Sequence, residues 1–65
     1  MTRQAFIARL REGLRGLPPQ TVADIVADYD THFADGSAAG RSEAEVAQAL
    51  GDPDRLAREL RAART

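Results

Sequence analysis

Residues 22–40 read VADIVADYDTHFADGSAAG, and this stretch is the most strongly patterned part of the chain. Its large apolar residues recur at intervals of three and four positions, the spacing that places side chains on one side of an α-helix. These residues are Val22, Ile25, Val26, Tyr29 and Phe33. The spacing predicts a long amphipathic helix. Because the other apolar segments are shorter, we expect this helix to touch all the others.

Three of the predicted helices begin at residues suited to a helix N-terminus. Thr2, Ser42 and Asp52 can each accept a hydrogen bond from the free N–H groups of a first helical turn. Ser42 and Glu45 have the spacing of a capping box, in which each side chain bonds to the backbone N–H of the other residue. We therefore expect helices to begin directly after Thr2, Ser42 and Asp52.

Glycines mark the predicted helix ends, because glycine readily adopts the left-handed conformation that terminates helices. Gly16 is the predicted end of the first helix and Gly51 that of the third. Either Gly36 or Gly40 could end the long helix. We favour Gly40, because the Ser-Ala-Ala sequence between the two glycines is compatible with another helical turn.

The whole pattern predicts an all-α fold, a compact four-helix domain without strands. The helices span about 3–15, 19–39, 43–50 and 53–63, within a single domain of residues 1–65. Connections this short favour packing between neighbouring helices. The predicted core consists of Phe6, Leu10, Leu14, Leu17, Val22, Ile25, Val26, Tyr29, Phe33, Val46, Leu50, Leu56 and Leu60.

The small size of the chain limits how it can be stabilised. It has 65 residues and no Cys, so neither a disulfide nor a thiolate metal site can support it. A domain of this size buries only about 60% of its unfolded surface. Tight helix packing or self-association is therefore expected. No apolar run is long enough to span a membrane and the N-terminus does not resemble a signal peptide, so we expect a cytoplasmic location.

Charge is distributed unevenly along the chain. Residues 2–16 and 55–65 each hold four Arg and one Glu, whereas residues 17–54 hold eight acidic residues and one Arg. The basic ends could fold onto the acidic middle, or a charged face could meet a partner. We favour a simpler interpretation, in which these charges lie on solvated helix faces and have no partner. The last four arginines recur every third residue and so spiral around the final helix rather than forming one stripe. They are Arg55, Arg58, Arg61 and Arg64.

The long helix carries acidic residues in its second half, where the helix dipole disfavours them. Asp28, Asp30 and Asp35 should therefore each destabilise the helix by a few tenths of a kcal/mol, unless Arg side chains from the first or fourth helix lie nearby. Asp24, Asp28 and His32 follow one another at intervals of four, so they share a face on which a divalent metal could bind. We favour a simpler interpretation, a charge-assisted hydrogen bond between Asp28 and His32.

No pattern in the chain predicts a metal, a cofactor or a catalytic group. Two of the few hydroxyl residues, Thr2 and Ser42, are explained as helix caps. The segment GSAAG at residues 36–40 follows a helix rather than a strand and lacks the Lys-Ser/Thr of a phosphate-binding loop. We therefore predict that the protein is not an enzyme.

The third and fourth predicted helices resemble a helix-turn-helix. In such a motif the start of the second helix meets base edges and phosphates. In the stretch VAQALGDPDRLARELR, residues 46–61, that start is Asp52-Pro53-Asp54. Phosphates would repel these two carboxylates, and affinity for DNA depends largely on cationic contacts. Direct DNA binding therefore stays an alternative that the charge pattern disfavours.

Three segments taken together resemble the HAAS signalling domain of bacteria. They are FxxxLxxxLxGLP at residues 6–18, DYDTHFADGSAAGRSEAEV at residues 28–46 and ALGDPDRLARELR at residues 49–61. The resemblance runs nearly from end to end. HAAS is a small α-helical domain associated with PadR-like transcription regulators, and a related prefix domain found before some permeases shares much of the pattern.

The resemblance implies a non-enzymatic protein–protein interaction domain that binds a PadR-like transcription regulator and modulates its output. Such domains usually form the N-terminal cytoplasmic part of a membrane protein, so a downstream transmembrane segment is also implied. A homo-oligomerisation module is a further alternative. The residues expected to contact a partner are Asp28, His32, Asp35, Arg41, Asp52 and Arg55.

Overall fold

The computed structural model describes residues 1–63, which contain four α-helices and no strand. The helices are α1 (Arg3–Gly13), α2 (Pro19–Ala38), α3 (Glu43–Leu50) and α4 (Pro53–Ala63). The predicted all-α fold is confirmed, and α3 and α4 have the predicted bounds. The predicted spiral of arginines on α4 includes Arg64, which lies outside the described residues.

Side chains cap α1, α3 and α4 as predicted. The Thr2 hydroxyl caps α1, and Asp52 Oδ1 accepts a hydrogen bond from the Asp54 N–H at 3.0 Å. At α3 the Ser42 hydroxyl accepts from the Glu45 N–H, and the Glu45 carboxylate accepts from the Ser42 N–H, both at 3.1 Å. The hydrogen bond from the Ser42 backbone holds the pKa of Glu45 below its ordinary value, because it stabilises the charged carboxylate.

α2 ends in a Schellman motif at Gly40, whose φ is +83°. The Arg41 N–H donates to the Gly36 carbonyl at 2.9 Å, and the Gly40 N–H donates to the Ser37 carbonyl at 3.0 Å. Two carbonyls that the helix end would leave free are thereby satisfied. The prediction that Gly40 rather than Gly36 ends this helix is confirmed, although α2 stops one residue before the predicted position.

α1 ends earlier than predicted. Its last residue is Gly13, its C-cap is Leu14, and the left-handed Gly16 (φ +96°) lies in the turn beyond the helix. In this turn the Leu17 N–H donates to the Leu14 carbonyl at 3.2 Å, a bond between residues three apart. The predicted end at residue 15 is therefore two residues too late. Gly16 lies in a turn whose hydrogen bond joins residues three apart, and this turn follows the last α-helical residue.

α1, rather than α2, is the central helix of the domain. It packs against each of the other three helices, and its largest interface is with α4. Its residues Phe6, Leu10 and Leu14 are fully buried. α2 packs chiefly on α1 and α3. α4 takes α1 as its close neighbour, so within residues 1–63 α2 has extensive interfaces with two of the other three helices, fewer than we expected.

Two glycines inside helices explain which helices lie closest together. A Cβ atom built on Gly13 would lie 2.5 Å from the Cβ of Ala57, and one built on Gly36 would lie closer still to a methyl group of Val46. Real Cβ atoms essentially never approach within 3.0 Å of another heavy atom. Any larger residue would therefore push α4 away from α1, or α3 away from α2. The spacing of large apolar residues does not predict either contact.

The hydrophobic core agrees largely with the predicted set. Seven predicted residues are buried: Phe6, Leu10, Leu14, Ile25, Val26, Phe33 and Val46. The other six are half-buried and pack around them: Leu17, Val22, Tyr29, Leu50, Leu56 and Leu60. The prediction omits Ala47, Pro53 and Ala57, which are also buried. These smaller residues are missed because the prediction counts only large apolar side chains.

Charged groups join α1 to each of its neighbours. The Arg3 guanidinium pairs with Asp30 of α2, and the Arg3 backbone N–H donates to the Glu43 carboxylate of α3 at 2.9 Å. Arg9 pairs with Asp54 of α4 at 2.6 Å. These three contacts fold the basic N-terminal segment onto the acidic middle of the chain, the first of the alternatives, whereas the interpretation that we favoured would leave Arg3 and Arg9 without partners.

Candidate partner-binding surface

The aromatic packing of α2 leaves one of its sides free for other contacts. Phe33 meets the Phe6 ring edge-on, with ring centroids 5.4 Å apart, and the Tyr29 ring lies tilted at 6.1 Å from Phe6. These contacts hold one side of α2 against α1. Four polar residues spaced by three or four positions are exposed, namely Asp24, Asp28, His32 and Asp35.

His32 contacts Tyr29 rather than Asp28. The two rings are 5.8 Å apart and inclined at 42°. In the described part of the chain, neither Asp28 nor His32 makes an ion pair or a side-chain hydrogen bond. The predicted bond between Asp28 and His32 is therefore wrong, because the imidazole lies against the half-buried Tyr29 ring instead.

The row of Asp24, Asp28 and His32 gains no support as a metal site. Asp24 accepts a hydrogen bond from the Gln20 amide at 3.0 Å. Within residues 1–63, no group of three or more His, Cys, Asp or Glu side chains is arranged to hold a metal ion. The regular spacing places these residues on one face of α2, but it does not make them converge.

Three of the six predicted partner-binding residues come together at a groove between α2 and α3. His32 and Asp35 line it on the α2 side, and Arg41, in the connection between the two helices, lines it as well. Asp28 lies one helical turn before His32 on the same side of α2. All four residues are exposed. We call this feature the α2–α3 groove, and its volume is about 280 Å³.

The lining of the α2–α3 groove is apolar, and sequence reasoning did not identify it as a site. It is formed by Gly36, Ala39, Val46, Ala49 and Leu50. A signal for it exists in the sequence. Val46, Ala49 and Leu50 follow the helical spacing on a helix of only eight residues, so α3 presents apolar groups both to the core and to the groove.

The other two predicted residues lie elsewhere and have local contacts. Asp52 caps α4. Arg55, one turn further along, pairs with Glu59 of the same helix at 3.4 Å. Both are exposed, but the structure does not bring them into the α2–α3 groove. The six residues therefore divide into four on the α2–α3 side and two at the start of α4.

The acidic residues of α2 have different surroundings. Asp30 pairs with Arg3, and this hydrogen bond holds the pKa of Asp30 below its ordinary value while it raises the pKa of Arg3. Asp28 and Asp35 have no such partner among the described residues. Compensation by an Arg side chain is therefore present for Asp30 and absent for the other two among residues 1–63, because the Arg side chains of α1 reach only the side of α2 that carries Asp30.

α3 and α4 do not pack on each other as a helix-turn-helix pair would. Each packs against α1 instead, and no extensive interface joins the two. Asp54, at the start of α4, is held by Arg9 of α1. Two of the arginines of α4 also have intramolecular contacts, since Arg55 pairs with Glu59 and Arg61 donates to the Arg15 carbonyl at 2.6 Å. This arrangement gives the DNA-binding alternative no support.

The HAAS family profile matches residues 5–59 of the 65-residue chain. The chain belongs to the HAAS family. HAAS domains are small, non-catalytic domains of the signalling or interaction type, which implies contact with another protein. The match spans the whole α2–α3 groove and extends into all four helices. Comparison with curated proteins and with solved structures gives no match.

None of the helices in residues 1–63 combines the length and the apolar character that crossing a bilayer requires.

Proposed function

We propose that this HAAS domain binds a PadR-like transcription regulator and modulates its output. The family match supports an interaction role, and the HAAS-like pattern of the sequence points to this class of regulator. Regulators of transcription are reached in the cytoplasm, so we place the domain there. In the native protein we place it N-terminal to a membrane segment, as HAAS-like domains usually are.

The observation that carries the proposal is a set of charged or titratable side chains that are exposed and have no ion-pair partner among the described residues. Asp28, His32, Asp35 and Arg41 are exposed, and among residues 1–63 they make no ion pair. Charged groups at an interface set its specificity and the rate of association. We therefore place the main contact with the regulator on the α2–α3 side. Asp52 and Arg55, which already have local contacts, would contribute less.

A titration of the purified domain with the PadR-like regulator encoded beside it tests the proposal. We expect a complex at micromolar concentrations, and the charge-reversing variant Asp35→Lys should weaken it. Glu12→Lys is the matched control, because Glu12 is an exposed acid on α1 that pairs only with the neighbouring Arg15 at 2.7 Å. Absence of binding at tens of micromolar, with the domain shown to be helical by circular dichroism, would sink the proposal.

Duplex DNA at low salt provides the comparison with the alternative of direct DNA binding. Even non-specific binding is strong under these conditions, because it depends on cationic contacts to phosphates. We expect no gel shift for the isolated domain. A shift that disappears with increasing salt would instead place the DNA contact on this chain.

A further inference from the structure

The α2–α3 groove combines an apolar lining with unpaired charges on one rim. Ala39 and Ala49 are exposed and Leu50 is half-buried, so apolar surface is left accessible between the two helices. The groove exists because Gly36 lets α3 approach α2 closely at Val46, which leaves a furrow beside the contact. In the described residues, no ion pair or side-chain hydrogen bond crosses from α2 to α3. None of residues 1–63 covers this surface.

Acidic side chains extend the rim of the groove along α2. Asp24, Asp28 and Asp35 fall within about 40° of one another around the helix axis and span about 16 Å along it. We call these three residues the acidic row. Asp35 lines the groove, and Asp28 and Asp24 continue the row toward the beginning of α2. All three are exposed, and none is neutralised by an ion pair within residues 1–63.

We infer that the α2–α3 groove receives an amphipathic helix of the partner, with apolar side chains on the groove lining and Arg or Lys side chains facing the acidic row. The inference rests on the proposed function, because it assigns the chemistry of the partner segment that the regulator would supply. A helix suits the site because residues four apart on it lie about 6 Å apart along its axis, the same spacing as Asp24 and Asp28. Helices commonly dock in apolar grooves by such spaced anchors.

The charges select the partner segment and argue against a second copy of this chain. Arg41 also lines the groove, but the three carboxylates of the acidic row outnumber this one cation, so they favour a basic helix and would repel an acidic one. The two basic helices of this chain, α1 and α4, already pack on each other. Their apolar faces are used in the core, with Phe6 and Leu10 of α1 buried and Leu56 and Leu60 of α4 packed against it. The occupant is therefore a basic amphipathic helix of another protein.

Nuclear magnetic resonance with two model peptides tests the chemistry of the groove directly. Both peptides are helical, about 18 residues long, with Leu at positions i, i+3, i+4 and i+7; one carries Arg beside the Leu stripe and the other carries Glu. We expect the Arg peptide to shift the amide signals of Ala39, Ala49 and Leu50, and the Glu peptide to leave them unchanged. Shifts confined to the α1–α4 side, or equal shifts from both peptides, would overturn the inference.

Matched variants separate the groove from the rest of the surface. Ala49→Arg places a long cationic side chain in the groove, whereas Ala44→Arg makes the same change at an exposed position of α3 outside it. We expect Ala49→Arg to weaken binding of the Arg peptide at least tenfold and Ala44→Arg to leave it within twofold. Equal affinities for the two variants would contradict the inference, and so would concentration-dependent groove shifts without peptide, which would indicate a second copy.

The same two variants, titrated with the regulator, distinguish this inference from the proposed function. If the regulator binds the wild-type domain and Ala49→Arg alone abolishes binding, both are supported. If it binds both variants equally, the function stands and the assignment of the groove fails. If the Arg peptide occupies the groove but the regulator does not bind, the groove assignment stands and the proposed partner is wrong.

Discussion

The α1–α4 and α2–α3 interfaces both depend on a glycine that faces a small or branched residue, yet they differ in what surrounds that contact. Between α1 and α4, Gly13 faces Ala57, Arg9 pairs with Asp54, and Arg61 donates to the carbonyl of Arg15, just beyond α1. Between α2 and α3, Gly36 faces Val46, and among the described residues no charged pair spans the two helices.

This difference separates the structural role of one interface from the interaction role proposed for the other. Polar contacts across α1–α4 are satisfied within the molecule, so that side has little left to offer a partner. The α2–α3 side retains accessible apolar surface and the exposed acidic row. Charged groups without an ion-pair partner beside an apolar groove are a natural place for recognition.

The largest effect should come from the core that both interfaces share. Phe6 is fully buried and contacts the rings of Tyr29 and Phe33. We expect Phe6→Ala to lower the free energy of unfolding by about 3–5 kcal/mol, measured by chemical denaturation with circular dichroism. Should this variant fail to fold, Phe6→Leu should show a smaller loss. An unchanged midpoint for either would mean that α1 is not the centre of the core.

Replacing Gly13 or Gly36 by alanine should lower the free energy of unfolding by different amounts. Gly13→Ala would clash with Ala57 and is expected to destabilise the domain by about 1–3 kcal/mol, as overpacked cores do. Gly36→Ala should cost less, because alanine inside a helix regains up to about 1 kcal/mol in helix propensity. Thermal denaturation of both variants provides the comparison.

A second substitution tests whether the clash with Ala57 causes the loss of stability expected for Gly13→Ala. Combining Gly13→Ala with Ala57→Gly removes the clash, so the double variant should be more stable than Gly13→Ala alone. If the free-energy losses of the two single variants simply add in the double variant, Gly13 is not required for the close approach of α1 and α4.

Acid should weaken the domain through two carboxylates, one on α2 and one on α3. The hydrogen bonds from Arg3 to Asp30 and from Ser42 to Glu45 lower the pKa of each carboxyl in the folded state. Their contribution to stability is therefore intact above the unfolded pKa values, about 3.9 for Asp and 4.3 for Glu. It is lost as the pH falls below these values through the lower folded pKa values.

Denaturation between pH 2 and pH 6 measures this dependence. The double variant Asp30→Asn and Glu45→Gln should lose less stability on acidification than the wild type, since neither amide titrates. Glu12→Gln, which makes the same change at an exposed acid of α1, is the comparison. If stability falls with pH in parallel for the wild type and the double variant, the loss in acid does not come from Asp30 and Glu45.

The smallest effects on stability should come from removing surface charges. Removal should destabilise the domain on the α1–α4 side and stabilise it on the α2–α3 side. Arg9→Gln breaks the pair with Asp54 and should cost about 0.2–1 kcal/mol, the usual range for exposed ion pairs. Asp35→Asn removes an acid from the last turn of α2 and should stabilise the domain by about 0.3–1 kcal/mol at low salt. Destabilisation by Asp35→Asn would show that this carboxylate has a structural partner after all.

Local sequence signals predicted the helices well because their causes are local. The capping box of Ser42 and Glu45 and the stop at Gly40 involve residues only a few positions apart, and both are confirmed. The predicted bond between Asp28 and His32 also involves nearby residues, but it is wrong because α2 packs Tyr29 where it offers the imidazole a ring to contact. Even a local contact depends on packing when a large side chain lies beside it.

The candidate site was predictable in its polar residues and not in its shape. Asp28, His32 and Asp35 could be assigned to one exposed face of α2 because helical periodicity alone determines which side chains share a face. That Arg41 joins His32 and Asp35 at one groove depends on how α3 is placed against α2. The separation of Asp52 and Arg55 from that groove likewise depends on how the helices are arranged in space.

The sequence by itself determined the four helices, the caps that begin three of them, the HAAS membership and most of the large core residues. Only the tertiary structure decided that α1 is the central helix, that Gly13 and Gly36 set the two closest approaches, and that the α2–α3 groove stays open. The physical reason is that helix formation and capping depend on neighbours within a few positions. Helix–helix approach depends on the shapes of residues far apart in the chain, and there the absence of a side chain can matter more than the presence of one.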